Sequence, residues 1–230
     1  MSGPRPGVVV LVAGTGTEVG KTWIAARLLE AWRGAGLVVA ARKPAQSFAP
    51  GDGPTDADVL GEASGEDPTT VCPPARWYPV PLAPPMAADA LGRPVPTVAA
   101  LVAEISWPTP VADVGLVETA GGVRSPQAID GDVVDLVGSI APDYVVLVAD
   151  AGLGTINAVR LSVAALSGRT SAPVVVLNRY DVSCDLHRRN RAWLHHTDAM
   201  DVVEATGDGL ESLAGRLALP RGAARPDGAT

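Results

Sequence analysis

Cysteine is nearly absent from this 230-residue sequence: Cys72 and Cys184 stand far apart, without metal-ligand spacing. That excludes a disulfide framework and a cysteine-rich metal site, and both are read as inert side chains. Positive charge is also in deficit. Eighteen Lys plus Arg stand against 25 Asp plus Glu, a formal net charge of −7, which argues against a nucleic-acid partner because that would require a basic face. A small anionic ligand needs only a local cradle. No apolar run approaches the roughly 18 residues needed to span a membrane, and residues 8–13 are too short for a signal-peptide core. The chain is therefore read as cytoplasmic, with no membrane partner. Of the three histidines, His195 and His196 are adjacent; on a helix they point about 100° apart and do not easily share a metal. No internal repeat is found.

What is present is a rhythm of short apolar runs. Residues 8–13, 37–41, 114–117, 144–149 and 173–177 have the length and composition of buried parallel strands. Helical spacing lies between them, with Ile24, Leu28 and Trp32 on one face of residues 22–32, and Ile156, Val159, Val163 and Leu166 on one face of 155–166. Those stripes are read as core. Alternation of this kind predicts an α/β fold, a mostly parallel sheet with helices on both faces. The length suits a single domain over residues 1–220, followed by a tail, "RGAARPDGAT" at 221–230, expected to be disordered. Residues 44–55 and 72–85 are rich in Pro, Gly and Asp and are predicted loops; beyond the strand C-terminal ends of such a fold, loops build the ligand site.

The stretch "GTGTEVGKT", Gly14 to Thr22, follows the first apolar run and precedes the first helical segment. A glycine-rich turn there aims backbone N–H groups at one point, and the helix N-terminus adds partial positive charge. That point suits a phosphate. Lys21 would reach the terminal phosphates of a nucleotide, and the Thr22 hydroxyl can ligate Mg²⁺. The usual phosphate-binding (P-loop) pattern has a glycine five residues before Gly20, where this chain has Thr15, with Gly14 one residue further upstream. The bland alternative is a strand-to-helix turn with a capping threonine.

The loop carries no early lysine, Gly16 standing at that position, which weighs against the partitioning and metal-pump ATPases. It resembles instead the loop of the dethiobiotin synthetase family. "RKPAQS", "TDADVL", "YPVPLAPPMAA", "VETAGG" followed by "SP", "ADAGLGTINAVRLS" and "VLNR" are similar to that family's segments, in family order from residue 8 to about residue 180. The resemblance implies a single-domain P-loop NTPase fold. It implies an ATP- and Mg²⁺-dependent ligase that joins CO₂ or bicarbonate to diaminopelargonic acid as a carbamate, phosphorylates it, and closes a cyclic urea. It also implies a homodimer, with the substrate tail reaching the partner subunit.

Carried onto this sequence, the resemblance implies Thr22, Asp56 and Glu118 as metal ligands, and Lys21, Lys43 and Thr17 as the catalytic set. Gly16, Thr17, Glu18, Val19, Gly20, Lys21 and Thr22, with Asn178 at the adenine edge, would hold the nucleotide. Ser47, Thr17, Lys43, Gly121 and Gly122 would meet the second substrate. Asp58 competes with Asp56 for the metal. Read singly, each has an alternative: Glu118 as an exposed carboxylate ending a strand, Asp56 as a helix cap, Lys43 as a surface lysine, Asn178 as a turn residue and the glycine pair as a simple turn. The basic run "HRRNR" reads as a solvated face, although Arg188 or Arg191 could approach ATP. Thr119 and Phe48 stand where the family usually has glycine; with Arg124 they are expected to add side chains beside the substrate channel. Two other functions compete. A partner-regulated nucleotide-switch ATPase is disfavoured by the missing early lysine, and an amide-forming ligase on another carboxylate by the lack of room for a glutaminase domain.

Overall fold

The computed structural model describes residues 1–220, so the expected disorder of 221–230 lies outside the described residues. The first apolar run becomes strand β1 (Val8–Gly14), buried along its whole length. A strand so composed must be covered on both faces. Val9, Leu11 and Ala13 join one apolar cluster, while Val8, Val10 and Val12 join another on the opposite side. The other runs form β2 (Val39–Arg42), β3 (Val114–Glu118), β4 (Tyr144–Asp150) and β5 (Val174–Asn178). β2 begins two residues later than its apolar run because the Leu37 N–H turns back to the Trp32 carbonyl, at 3.0 Å, to finish the preceding helix. A sixth strand, β6 (Val202–Glu204), was not anticipated; its apolar run is too short to show a period.

The strands form one sheet in the order β6-β5-β4-β1-β3-β2, every neighbouring pair parallel. Helices α1 (Lys21–Gly34) and α2 (Asp56–Ser64) pack on the Val10 side, and α3 (Val133–Ile140) and α4 (Thr155–Leu166) on the Leu11 side. The predicted α1 stripe of Ile24, Leu28 and Trp32 is buried. Trp32 also donates its indole N–H to the Ala214 carbonyl, at 2.8 Å. That bond ties α1 to the last described helix, Gly207–Leu217. In α4, Val159 and Leu166 are buried, with Ile156 and Val163 half-buried against the same cluster. Among the described residues, no helix is long and apolar enough to cross a membrane.

From β1 the chain moves outward to β2, then returns across β1 to β4. The C-terminal ends of β1, β3 and β4 therefore border a switch point, where open α/β sheets bind ligands. The two predicted loop regions lie near the end of β2. They are mostly irregular, but Gln46–Ser47 pairs in parallel with Trp77–Tyr78, joining them into one wall.

Candidate active site

Between β1 and α1 the chain turns through residues 15–20. The displaced glycine has a clear role: a Cβ at Gly14 would lie 2.9 Å from both the Lys21 Cδ and the Val19 Cγ2, so the loop can close over the lysine stem only without one. Among the described residues, the backbone N–H groups of residues 16–20 have no protein acceptor. Unpaired N–H groups at a helix N-terminus form an anion cradle. The Lys21 side chain is buried, its ammonium donating to the Gly16 carbonyl at 3.0 Å. Burial, then repulsion from Lys43, lowers its pKa from 10.5 to about 8. At neutral pH the ammonium is still mostly charged, and an anion bound beside it would favour that form further.

Lys43 follows β2 and is not a surface lysine: it is 1% exposed, with its ammonium 2.7 Å from Asp56 Oδ2 and 2.6 Å from Glu118 Oε1. Glu118 ends β3 fully buried rather than exposed. Asp56 is not the helix cap either. Thr55 caps α2, its hydroxyl accepting from the Asp58 N–H at 3.3 Å, while the Asp58 carboxylate accepts from the Thr55 N–H at 2.8 Å. This capping box occupies Asp58 and leaves Asp56 facing inward. Gln46 fixes that start by accepting from the Ala57 N–H at 2.9 Å.

The Thr22 hydroxyl lies 2.8 Å from Asp56 Oδ1 and 2.9 Å from Glu118 Oε1. Its single proton can serve only one of them at a time. Among the described residues, Glu118 Oε2 is buried with no partner. Burial raises the Glu118 pKa, opposed by Lys43, whereas Asp56 is held below the usual carboxylate range because Lys43 and Thr22 outweigh its burial. Burial opposes the charge on Lys43, but Asp56 and Glu118 overcome it and hold the ammonium above the ordinary lysine value.

The loop and this charge cluster open on one cavity of about 640 Å³. Thr17, Glu18, Gly20, Lys21 and Thr22 line it, as do Lys43, Asp56 and Glu118. Of the other predicted substrate residues, Ser47 and Gly121 also line it, and the Ser47 hydroxyl is buried without a partner among the described residues. Gly121 has φ +64°, and Gly122 packs against the loop backbone, where a Cβ would lie 3.1 Å from the Thr15 carbonyl oxygen. Gly16, Val19 and Asn178 are not part of the lining. Asn178, expected at the adenine edge, donates its amide to the Val19 carbonyl at 2.9 Å. Arg188 and Arg191 pair with Asp185 and Glu204 away from the cavity. The arginine that does line it is Arg179, which the sequence analysis missed; its only signal was its place after Asn178 at a strand end.

Comparison with known proteins bears on this arrangement. A protein-family profile described as an AAA domain matches residues 9–208. Over 209 residues the chain is 39% identical to the ATP-dependent dethiobiotin synthetase of Rhodococcus jostii, covering 90% of this chain and 89% of that one. The chain belongs to the dethiobiotin synthetase family. The Streptomyces coelicolor ATP-dependent dethiobiotin synthetase is 35% identical, with 95% of this chain and 92% of that relative covered. Among solved structures, chloroplast FtsY from Physcomitrella patens superposes with a TM-score of 0.51 at 16% identity, over 91% of this chain and 61% of that one. The signal recognition particle receptor FtsY from Elizabethkingia anophelis in complex with GDP gives 0.50 at 19%, over 92% and 60%. This chain thus spans about three-fifths of each, and the likeness is one of fold.

Within the dethiobiotin synthetase family, the three departures separate. Thr119 does not narrow a channel: it is fully buried and donates its hydroxyl to the Val12 carbonyl at 3.3 Å. Arg124 points to solvent and pairs with Asp132 at 2.8 Å. Phe48 alone of the three lines the cavity, edge-on to Trp77 with ring centroids 6.5 Å apart, beside Pro81 and Leu82.

Proposed function

We propose that this chain is the ATP-dependent ligase of biotin biosynthesis that closes the ureido ring of dethiobiotin on 7,8-diaminopelargonic acid. Carbon dioxide adds to one amine as a carbamate, losing a proton. ATP phosphorylates a carbamate oxygen and leaves as ADP; the second amine then attacks the carbonyl carbon and expels phosphate. The observation that carries this reading is that the phosphate loop and Lys43 open on one cavity that the apolar side chains of Phe48 and Leu82 also line. One compartment can thus hold a polyphosphate and an aliphatic diamine in line for attack.

In this reading Lys21 swings from the Gly16 carbonyl to the terminal phosphates, which the N–H groups of residues 16–20 receive. Lys43 neutralises the carbamate and the transferred phosphoryl group. Thr17, Ser47 and Gly121 contact the diamine end, with Gly122 setting how closely its loop approaches the nucleotide.

For Mg²⁺ the donor set is suitable. Thr22, Asp56 and Glu118 offer only oxygen, and one Glu118 oxygen is buried and unpartnered among the described residues. Among the described residues no group of three His, Cys, Asp or Glu gathers at one point, so such an ion would draw its remaining ligands from water and phosphate. Bound there, Mg²⁺ would neutralise phosphate charge. Asp56→Asn and Glu118→Gln should each raise the Mg²⁺ concentration giving half-maximal rate, measured by titration. Asp58→Asn should leave it unchanged and cost only about 1 kcal/mol of stability through the cap. An unaltered requirement in the first two variants would refute the ligand assignment.

A cytoplasmic setting agrees with two free thiols. Leu153, Leu161 and Trp193 expose apolar surface along the α4 side, which favours a homodimer buried there. Light scattering at micromolar concentration should give about twice the chain mass of 23.4 kDa; the mass of one chain would contradict it.

The reaction is tested by supplying diaminopelargonic acid, bicarbonate and Mg·ATP and following ADP, phosphate and product mass. ADP and a cyclic urea should appear only with all substrates present. Equal ADP release without the diamine, or no ureido product from a protein that binds ATP, would overturn the ligase reading.

A further inference from the structure

Among the described residues, four non-glycine positions have positive φ, and two of them meet at the phosphate loop: Glu18 at 60° and Arg179 at 55°. The Arg179 guanidinium joins them, donating through Nη2 to the Glu18 carbonyl at 2.8 Å and through Nη1 to Asp150 Oδ2 at 2.7 Å. Asp150 is itself held, since its Oδ1 accepts from the Gly152 N–H at 2.8 Å. One residue along, Asn178 holds the Val19 carbonyl, and a Cβ on Gly20 would lie 2.0 Å from the Asn178 amide nitrogen. The end of β5 thus grips two successive loop carbonyls.

In a planar trans peptide the carbonyl and the next N–H point in opposite directions. Drawing the Glu18 and Val19 carbonyls toward β5 therefore turns the Val19 and Gly20 N–H groups the other way, onto the side of the cavity and Lys21. We infer that Arg179, fixed by Asp150, is a positioning residue that aims the loop's N–H donors at the nucleotide phosphates. The inference rests on the nucleotide reading above. Arg179 also lines the cavity, so the competing role is direct contact with ATP through its charge. Its side chain is 59% exposed and that of Asp150 46%; an exposed ion pair contributes little to stability, so the pair's value lies in what it orients.

The two roles differ in what Asp150 does. If Arg179 positions the loop, removing Asp150 loosens the grip and weakens ATP; if Arg179 meets ATP directly, removing Asp150 frees a cation and strengthens or preserves binding. Calorimetric titration of the full chain with Mg·ATP is expected to show Kd raised about tenfold by Arg179→Ala, the size of a charge-assisted hydrogen bond. A similar rise is expected for Asp150→Asn, with the double variant no weaker than the weaker single one. Melting temperatures should stay near the parent's, and KM should rise for ATP but not for the diamine. ATP binding within twofold of the parent in Arg179→Ala would overturn the inference, and so would Asp150→Asn binding as tightly as the parent. So too would an equal rise in both KM values. Failure of the unaltered protein to bind ATP would overturn the nucleotide reading, and the inference with it.

Discussion

Replacing Lys21 by alanine is expected to lower kcat by at least about a hundredfold, the usual effect of removing one preorganised charge stabiliser. The ammonium rests on the Gly16 carbonyl of the phosphate loop and shares its cavity with Lys43. No other lysine comes from the phosphate loop. The fold should survive, because burial and Lys43 already hold the Lys21 pKa down to about 8. Against the reference of 10.5, that shift amounts to about 3 kcal/mol of unfavourable charge burial at neutral pH. The alanine variant should therefore melt no lower than the parent in metal- and nucleotide-free buffer. Between about pH 8 and 10.5 the unfolded parent binds more protons than the folded one, so parent stability rises with pH and any advantage of the variant shrinks. A variant keeping more than about a tenth of parental kcat would contradict the assignment.

Lys43→Met is expected to damage both activity and stability. The ammonium is the shared cation of Asp56 and Glu118, and Glu118 is 0% exposed. Removing it leaves two carboxylates in one enclosed site, a loss of about 3–5 kcal/mol for breaking a buried pair. Burial already raises the Glu118 pKa, and without Lys43 the nearby Asp56 raises it further. A carboxyl with a raised folded pKa stabilises most below its unfolded value and loses that contribution as pH rises through the folded one. In metal-free buffer the variant's deficit should thus be largest at neutral pH and should narrow toward the reference carboxyl value of 4.5. Urea denaturation at several pH values measures it. A deficit independent of pH would show that Lys43 contributes packing alone, and an unchanged kcat would remove it from the chemistry.

Local pattern alone determined much of this protein. Short uninterrupted apolar runs alternating with helical spacing suit strands covered on both faces, so five of the six strands of the main sheet and the parallel class could be read directly, and Gly20-Lys21-Thr22 at a strand-to-helix turn marked the anion cradle. Resemblance of ordered segments supplied the family. Tertiary structure decided the rest, because it concerns groups brought together across the chain. It made Glu118 a buried partner of Lys43 rather than an exposed strand end, and gave the cap to Thr55 with Asp58, leaving Asp56 to face the cavity. It turned Thr119 into the sheet and Arg124 to solvent, and it set Arg179 against Glu18. Arg179 and Glu18 are 161 positions apart in sequence; periodicity reports which face a residue occupies, whereas a hydrogen bond across that separation depends on strand order and on where two turns happen to end.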